Sequence, residues 1–87
     1  MASYRLEWRA SVHKDLRGVP VREVQKIVEA AESLIQNPFP LQSLKLSGSE
    51  HAYRLRVGNY RVIYTVFADV LIIEIIKVGH RKDVYRE

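Results

Sequence analysis

Arg54, Arg56 and Arg61 stand at spacings that bring three guanidinium groups together if the chain around them folds as a hairpin. Residues 53–57 alternate between apolar and charged side chains, and Tyr60-Arg61-Val62 resumes the alternation beyond Gly58-Asn59, which is the signal of two strands joined by a two-residue loop. With that loop, Val57 faces Tyr60 and Arg56 faces Arg61. The two-residue period of a strand adds Arg54 to the same face. Like charges directly across a strand pair repel each other. An anion relieves that repulsion, and a guanidinium donates to phosphate oxygens in a planar, two-pronged fashion. The phosphate backbone of a nucleic acid is the expected ligand. Three solvated surface arginines are the alternative.

The elements that must position this face can be read from periodicity. Residues 4–8 alternate and form a first strand. Residues 10–17 form a short helix with Val12 and Leu16 on one side, stopped by Gly18. Pro20 opens a longer helix in which Val21, Val24, Ile27, Val28, Ala31, Leu34 and Ile35 share one side, with Glu23, Lys26, Glu29 and Glu32 on the other. Asn37-Pro38 ends it. Residues 39–49 read as a connection.

Three further strands follow over 51–57, 60–67 and 70–78. A tight turn at Ala68-Asp69 sets Ile63 beside Glu74 and Arg61 beside Ile76. A polar tail, 79–87, closes the chain. The order is β-α-α-β-β-β, an α+β fold with two N-terminal helices on one face of a mainly antiparallel four-stranded sheet.

Tyr53, Leu55, Val57, Tyr60, Val62, Tyr64, Val66, Leu71, Ile73 and Ile75 make an apolar surface that takes the helices. Trp8 and the three tyrosines belong to this core. The opposite face carries Arg54, Arg56, Arg61, Thr65 and Glu74 among Ile63, Ile72 and Ile76. Burying unpaired arginines under the helices costs several kcal/mol per ion, so the arginine face is the open one.

Size and composition set bounds. Eighty-seven residues, 47% hydrophobic, suit one globular domain over 1–87 and are too apolar for a disordered chain. With no cysteine, neither a disulfide framework nor a thiolate zinc site is available. His13 and His51, dispersed and without acidic neighbours, do not make a metal site. No apolar leader opens the chain, and the stretch 70–78 is too short and too charged to span a bilayer, so a soluble, cytoplasmic protein without membrane contact is expected. The net charge of +4 is uneven: residues 1–43 carry six basic and five acidic side chains, residues 44–87 eight and five. The excess lies with the arginines and favours a polyanionic partner.

The run Leu44-Lys45-Leu46-Ser47-Gly48, the hairpin 53–64, and the ending Val78-Gly79-His80-Arg81-Lys82-Asp83-Val84-Tyr85 resemble the RelE branch of the RelE/ParE toxin superfamily. The likeness covers essentially the whole chain, and the element order fits it. It implies the toxin of a toxin–antitoxin pair, an endoribonuclease that cuts mRNA in the ribosomal A site without metal or cofactor. It also implies a small, usually acidic antitoxin lying across the helices and masking or displacing the C-terminal segment. Motif by motif, the family's basic cluster falls on Arg54, Arg56 and Arg61, its C-terminal arginine on Arg81 and its C-terminal tyrosine on Tyr85.

In such a reaction the 2′-hydroxyl attacks the adjacent phosphorus. Arg61 is assigned to the charge on the phosphorane, with Arg54 and Arg56 on the flanking backbone and Arg81 at the departing 5′ oxygen. Some relatives carry lysines where this chain has Arg54 and Arg56. Lysine can act as a base and arginine cannot, so the base stays open between Tyr85, His80 or neither. Lys45, His80 and Lys82 are further candidates for contact with RNA. Two other readings share the fold: a ParE-like, non-enzymatic inhibitor of DNA gyrase, and a degenerate toxin-fold protein that binds only its antitoxin.

Overall fold

A computed structural model of the chain describes residues 3–84. Its elements are β1 (Arg5–Trp8), α1 (Ala10–Arg17), α2 (Val21–Ser33), β2 (Ser43–Lys45), β3 (Ala52–Val57), β4 (Tyr60–Phe67), β5 (Ile72–His80) and a single helical turn, α3 (Arg81–Val84). The two helices and the arginine hairpin stand where periodicity puts them. The last strand, expected over 70–78, runs two residues later, and the tail expected from residue 79 instead begins as the end of that strand and the α3 turn. The sheet has five strands in the order β1-β5-β4-β3-β2. The fifth is β2, three residues from the stretch expected to be connection, paired antiparallel to β3. A segment this short carries too few alternations to register as a strand. β1 pairs parallel with β5, and the other pairings are antiparallel.

The helices cover one face. Val12 of α1, Ile27 and Ala31 of α2, and Leu34 just beyond it are buried together with Leu55, Val62, Tyr64, Val66, Ile73, Ile75 and Val78 of the sheet. Trp8, Tyr53 and Tyr60 pack partly buried around them. Val21 departs from its expected place: it sits at the first turn of α2, 75% exposed, before the helix crosses the sheet. The Tyr64 hydroxyl donates to the Pro38 carbonyl oxygen at 2.7 Å. Burial pushes this phenol above its usual pKa, and neighbouring Tyr53 adds to the rise, while a hydrogen bond with Ser43 works against it.

The β4–β5 connection overturns the expected tight turn at Ala68-Asp69. The strands pair from Phe67↔Ile72, so four residues form the loop, with Leu71 in the left-handed region at φ 56°. A bulge then shifts the register, giving Tyr64↔Ile75 but Ile63↔Lys77 and Arg61↔Gly79. Ile63 therefore stands beside Lys77 rather than Glu74, and Arg61 beside Gly79 rather than Ile76. The physical reason lies in Ile75-Ile76-Lys77-Val78, which breaks strict alternation: one extra residue lets Ile75 and Val78 both reach the core.

β1 stops at Trp8, opposite Ile75, and the chain turns into α1. Beyond that point the Asp15 carboxylate of α1 takes the place of a strand, accepting the Val78 N–H at 3.0 Å. The side chain thereby ties α1 to β5 just past the bulge. Asp15→Ala leaves that amide without its acceptor, and a loss of about 1–3 kcal/mol is expected in chemical unfolding. Asp15→Asn, which keeps a carbonyl acceptor, is expected to recover most of it.

Candidate functional site

Paired residues across a sheet share a face, so the register builds the helix-free surface row by row. Arg56 pairs with Arg61 and Arg61 with Gly79. At the other end of this row lies Gln42, whose carbonyl oxygen accepts the Arg56 N–H at 3.2 Å and extends the β2–β3 ladder by one residue. The next row runs Leu44, Arg54, Ile63, Lys77. The one after it includes Ala52, Thr65, Glu74 and Glu7. There the positive field ends: Glu74 is engaged by Arg9, through Nη2 at 3.3 Å and Nε at 3.4 Å.

The three arginines differ in setting. Arg56 is exposed, Arg54 half-buried, and Arg61 only 5% exposed. Burying a guanidinium is costly unless its N–H groups find acceptors. Arg61 Nη1 donates to the Gly58 carbonyl oxygen at 3.2 Å and to that of Tyr60 at 3.0 Å, so the hairpin turn itself holds the charged group. Gly58 has φ +60°, the conformation a two-residue loop demands of its first residue and one that glycine adopts without strain. Ile63 is buried on this open face, flanked across the sheet by Arg54 and Lys77, both long enough to cover it with methylene stems.

Arg54, Arg56 and Arg61 line one open groove of about 390 Å³, completed by Leu41, Gln42, Ser43 and Leu44. Arg81 opens α3 at the same end of the sheet, because its N–H donates to the Asn59 carbonyl oxygen at 2.8 Å. The hairpin turn thus anchors both the Arg61 side chain and the backbone of Arg81. Among the described residues no group of three His, Asp or Glu side chains could hold a metal ion, and no helix is long and apolar enough to cross a membrane.

The family described as the ParE toxin of type II toxin–antitoxin systems (parDE) matches residues 6–85. RelE1 of Methanocaldococcus jannaschii is 36% identical over 86 residues, covering 95% of this chain and 96% of that protein. The chain belongs to the RelE family of type II toxins. The toxin RelE3 of the same organism is 38% identical over 76 residues, 83% of this chain and 84% of its own length. Among solved structures, RelE in the RelE–RelB complex of Pyrococcus horikoshii superposes with a TM-score of 0.80 at 32% identity, covering 93% of this chain and 97% of that one.

Not every residue singled out from the sequence of this RelE-family toxin gathers at the groove. Arg54, Arg56 and Arg61 do. Lys45 pairs with Tyr53 and so projects on the helix side of the edge strand, away from the arginine face. His80 pairs with Tyr60, its ring 5.6 Å from the tyrosine ring and edge-on to it, with Nδ1 accepting the Lys82 N–H at 3.3 Å. That places His80 on the face of Val62 and Val78, opposite Arg61. Lys82 is exposed on α3. Tyr85 lies outside the described residues.

The sequence reading missed Lys77, which the bulge delivers to the arginine face of the toxin, and the segment 41–44, which forms one wall of the groove. The doubled isoleucine before Lys77 was the available signal of a bulge. For 41–44 no comparable signal exists.

Proposed function

We propose that this toxin is a metal-free, ribosome-dependent endoribonuclease that cuts messenger RNA in the ribosomal A site, and that a RelB-like antitoxin holds it inactive. The cytoplasm, where ribosomes and messenger meet, is its place of action. The convergence of Arg54, Arg56 and Arg61 in one groove on the helix-free face carries this reading. The likeness to RelE3, named a toxin, and to a RelE solved together with RelB supports it.

The chemistry follows from the donor set. The 2′-oxygen forms a bond to phosphorus, the bond from phosphorus to the 5′ oxygen breaks, and negative charge grows on the non-bridging oxygens in between. Arg61, held rigid by two carbonyls, is suited to those oxygens. Arg56 and Arg54 hold the adjoining phosphates, and Arg81 stabilises the departing oxygen. The 2′ proton leaves to a base for which Tyr85 is the candidate, since His80 faces the other side of the sheet. The ribosome supplies the in-line geometry of the substrate, a requirement that a groove this open does not meet alone.

The test is primer extension on a defined messenger in a purified translation mix, with and without ribosomes. Wild type is expected to cut within the A-site codon only when ribosomes are present, and Arg81→Ala to cut about 100-fold less. Toxicity in cells without any RNA cleavage would overturn the reading. It would favour the non-enzymatic, ParE-like inhibition of gyrase, a second reading to which the family match over residues 6–85 lends weight.

A further inference from the structure

The wall of the groove formed by residues 41–44 is more rigid than a surface connection needs to be. Asn37 Oδ1 accepts the Phe39 N–H at 3.2 Å. The Tyr64 hydroxyl holds the Pro38 carbonyl, and the Phe39 ring packs 5.1 Å from that of Tyr53. Ser43 donates twice to the Pro40 carbonyl oxygen, from its N–H at 2.9 Å and its hydroxyl at 2.8 Å. The Gln42 carbonyl is fixed by Arg56. Yet this pinned backbone displays apolar side chains outward: Leu41 is fully exposed and Leu44 is 60% exposed. The exposed Gln42 side chain stands between them on the groove. The Ser43 hydroxyl is already committed, so the polar group this wall offers from a side chain is the Gln42 amide.

We infer that Leu41, Gln42 and Leu44 form a nucleobase subsite, in which the leucines carry the face of a single-stranded base and the Gln42 amide reads its edge. The inference rests on the endonuclease reading above and extends it from cleavage to sequence preference. Charge complementarity argues for a nucleotide as occupant rather than an apolar protein segment. The other wall of the same groove is three arginines, and Gln42 is the cross-strand neighbour of Arg56, so a base on the leucines and a phosphate on the guanidiniums lie one residue apart. The groove's 390 Å³ falls in the range of sites that take small molecules. Single-stranded RNA is read by apolar support of splayed bases together with hydrogen bonds to their edges. A primary amide offers two donors beside an acceptor, which matches a base edge presenting an acceptor beside a donor. A two-bond contact of this kind discriminates between bases by about 10- to 100-fold.

The experiment has two readouts. In the first, a messenger library randomised at the A-site codon is cut on ribosomes by wild type, Gln42→Ala, Gln42→Glu and Leu41→Ser. The ratio of cutting between best and worst codons is expected to shrink about tenfold in Gln42→Ala, and the favoured base to change in Gln42→Glu, which replaces a donor by an acceptor. In the second, short homopolymeric RNA oligomers are bound to the isolated toxin at low salt and followed by fluorescence anisotropy, with the same expectation for the ratio of affinities. Base preference in binding that depends on Gln42, without any cutting, sustains the subsite and sinks the endonuclease reading. Base ratios that ignore Gln42 in either readout, or losses that fall equally on every base, overturn the subsite, and the nuclease reading then stands only where ribosome-dependent cutting is seen. A toxin that neither cuts nor binds overturns both. Unchanged RNA ratios with weakened capture of a RelB-type antitoxin would assign the leucines to a protein partner and overturn the subsite.

Discussion

Arg61→Ala is expected to lower ribosome-dependent cleavage by about 100- to 1,000-fold, the usual consequence of removing one preorganised donor to a developing oxyanion. Arg61 lies between Arg56 and Gly79 in its row. It is almost wholly buried, so its field is weakly screened by water. Two carbonyls fix its orientation in advance, which removes the cost of organising it during the reaction. Arg61→Lys keeps the charge but not the planar fork, and should restore no more than about tenfold of the loss. Arg56→Ala, at an exposed position, should instead weaken cutting about tenfold and reduce the salt dependence of RNA binding by about one phosphate's worth. Arg61→Ala also frees the Gly58 and Tyr60 carbonyls, so activity must be expressed per folded molecule. Cleavage by folded Arg61→Ala within about threefold of wild type would remove Arg61 from the reaction.

Why so much of this site could be read from sequence, and why some could not, follows from the range of the forces involved. The hairpin is local. Gly58-Asn59 fixes its own loop, the loop fixes the pairing of Arg56 with Arg61, and alternation adds Arg54 without reference to any distant residue. The helices are nearly as local, since Val12 and the stripe through Ile27, Ala31 and Leu34 declare their buried side by spacing alone. What failed was long-range. The β4–β5 register depends on how Ile75 and Val78 are drawn into a core shared with α1, and on Asp15 arriving from sixty-three residues away to accept the Val78 N–H. Only then does Lys77 join the arginines and Gly79 come to lie opposite Arg61. In the same way β2 exists because β3 offers it a ladder, and Lys45 is turned from the arginine face by pairing with Tyr53. A residue's type said that it could bind phosphate. Its partner across the sheet decided whether it was placed to do so.

The same pairing logic gives the largest expected effect on stability. Ile73 is wholly buried at the centre of the sheet, flanked by Leu6 of β1 and Val66 of β4, with the helices above it. Ile73→Ala removes methyl and methylene groups from a position enclosed on every side, and a loss of about 2–5 kcal/mol is expected from lost transfer energy and the cavity left behind. A chain of this length has a total stability of roughly 4–13 kcal/mol, so the variant forfeits a large share of it. In urea the midpoint should fall while the slope stays that of wild type, because the folded state keeps its extent. Ile72→Ala is the control on the neighbouring residue. Its side chain takes the opposite face, half-buried between Arg5 and Phe67, and the cost should stay below about 1.5 kcal/mol. Equal losses from the two variants would contradict the assignment of the helices to one face. Cleavage per folded molecule of Ile73→Ala should match wild type, since β4 separates Ile73 from β3, and the groove opens on the other side of the sheet.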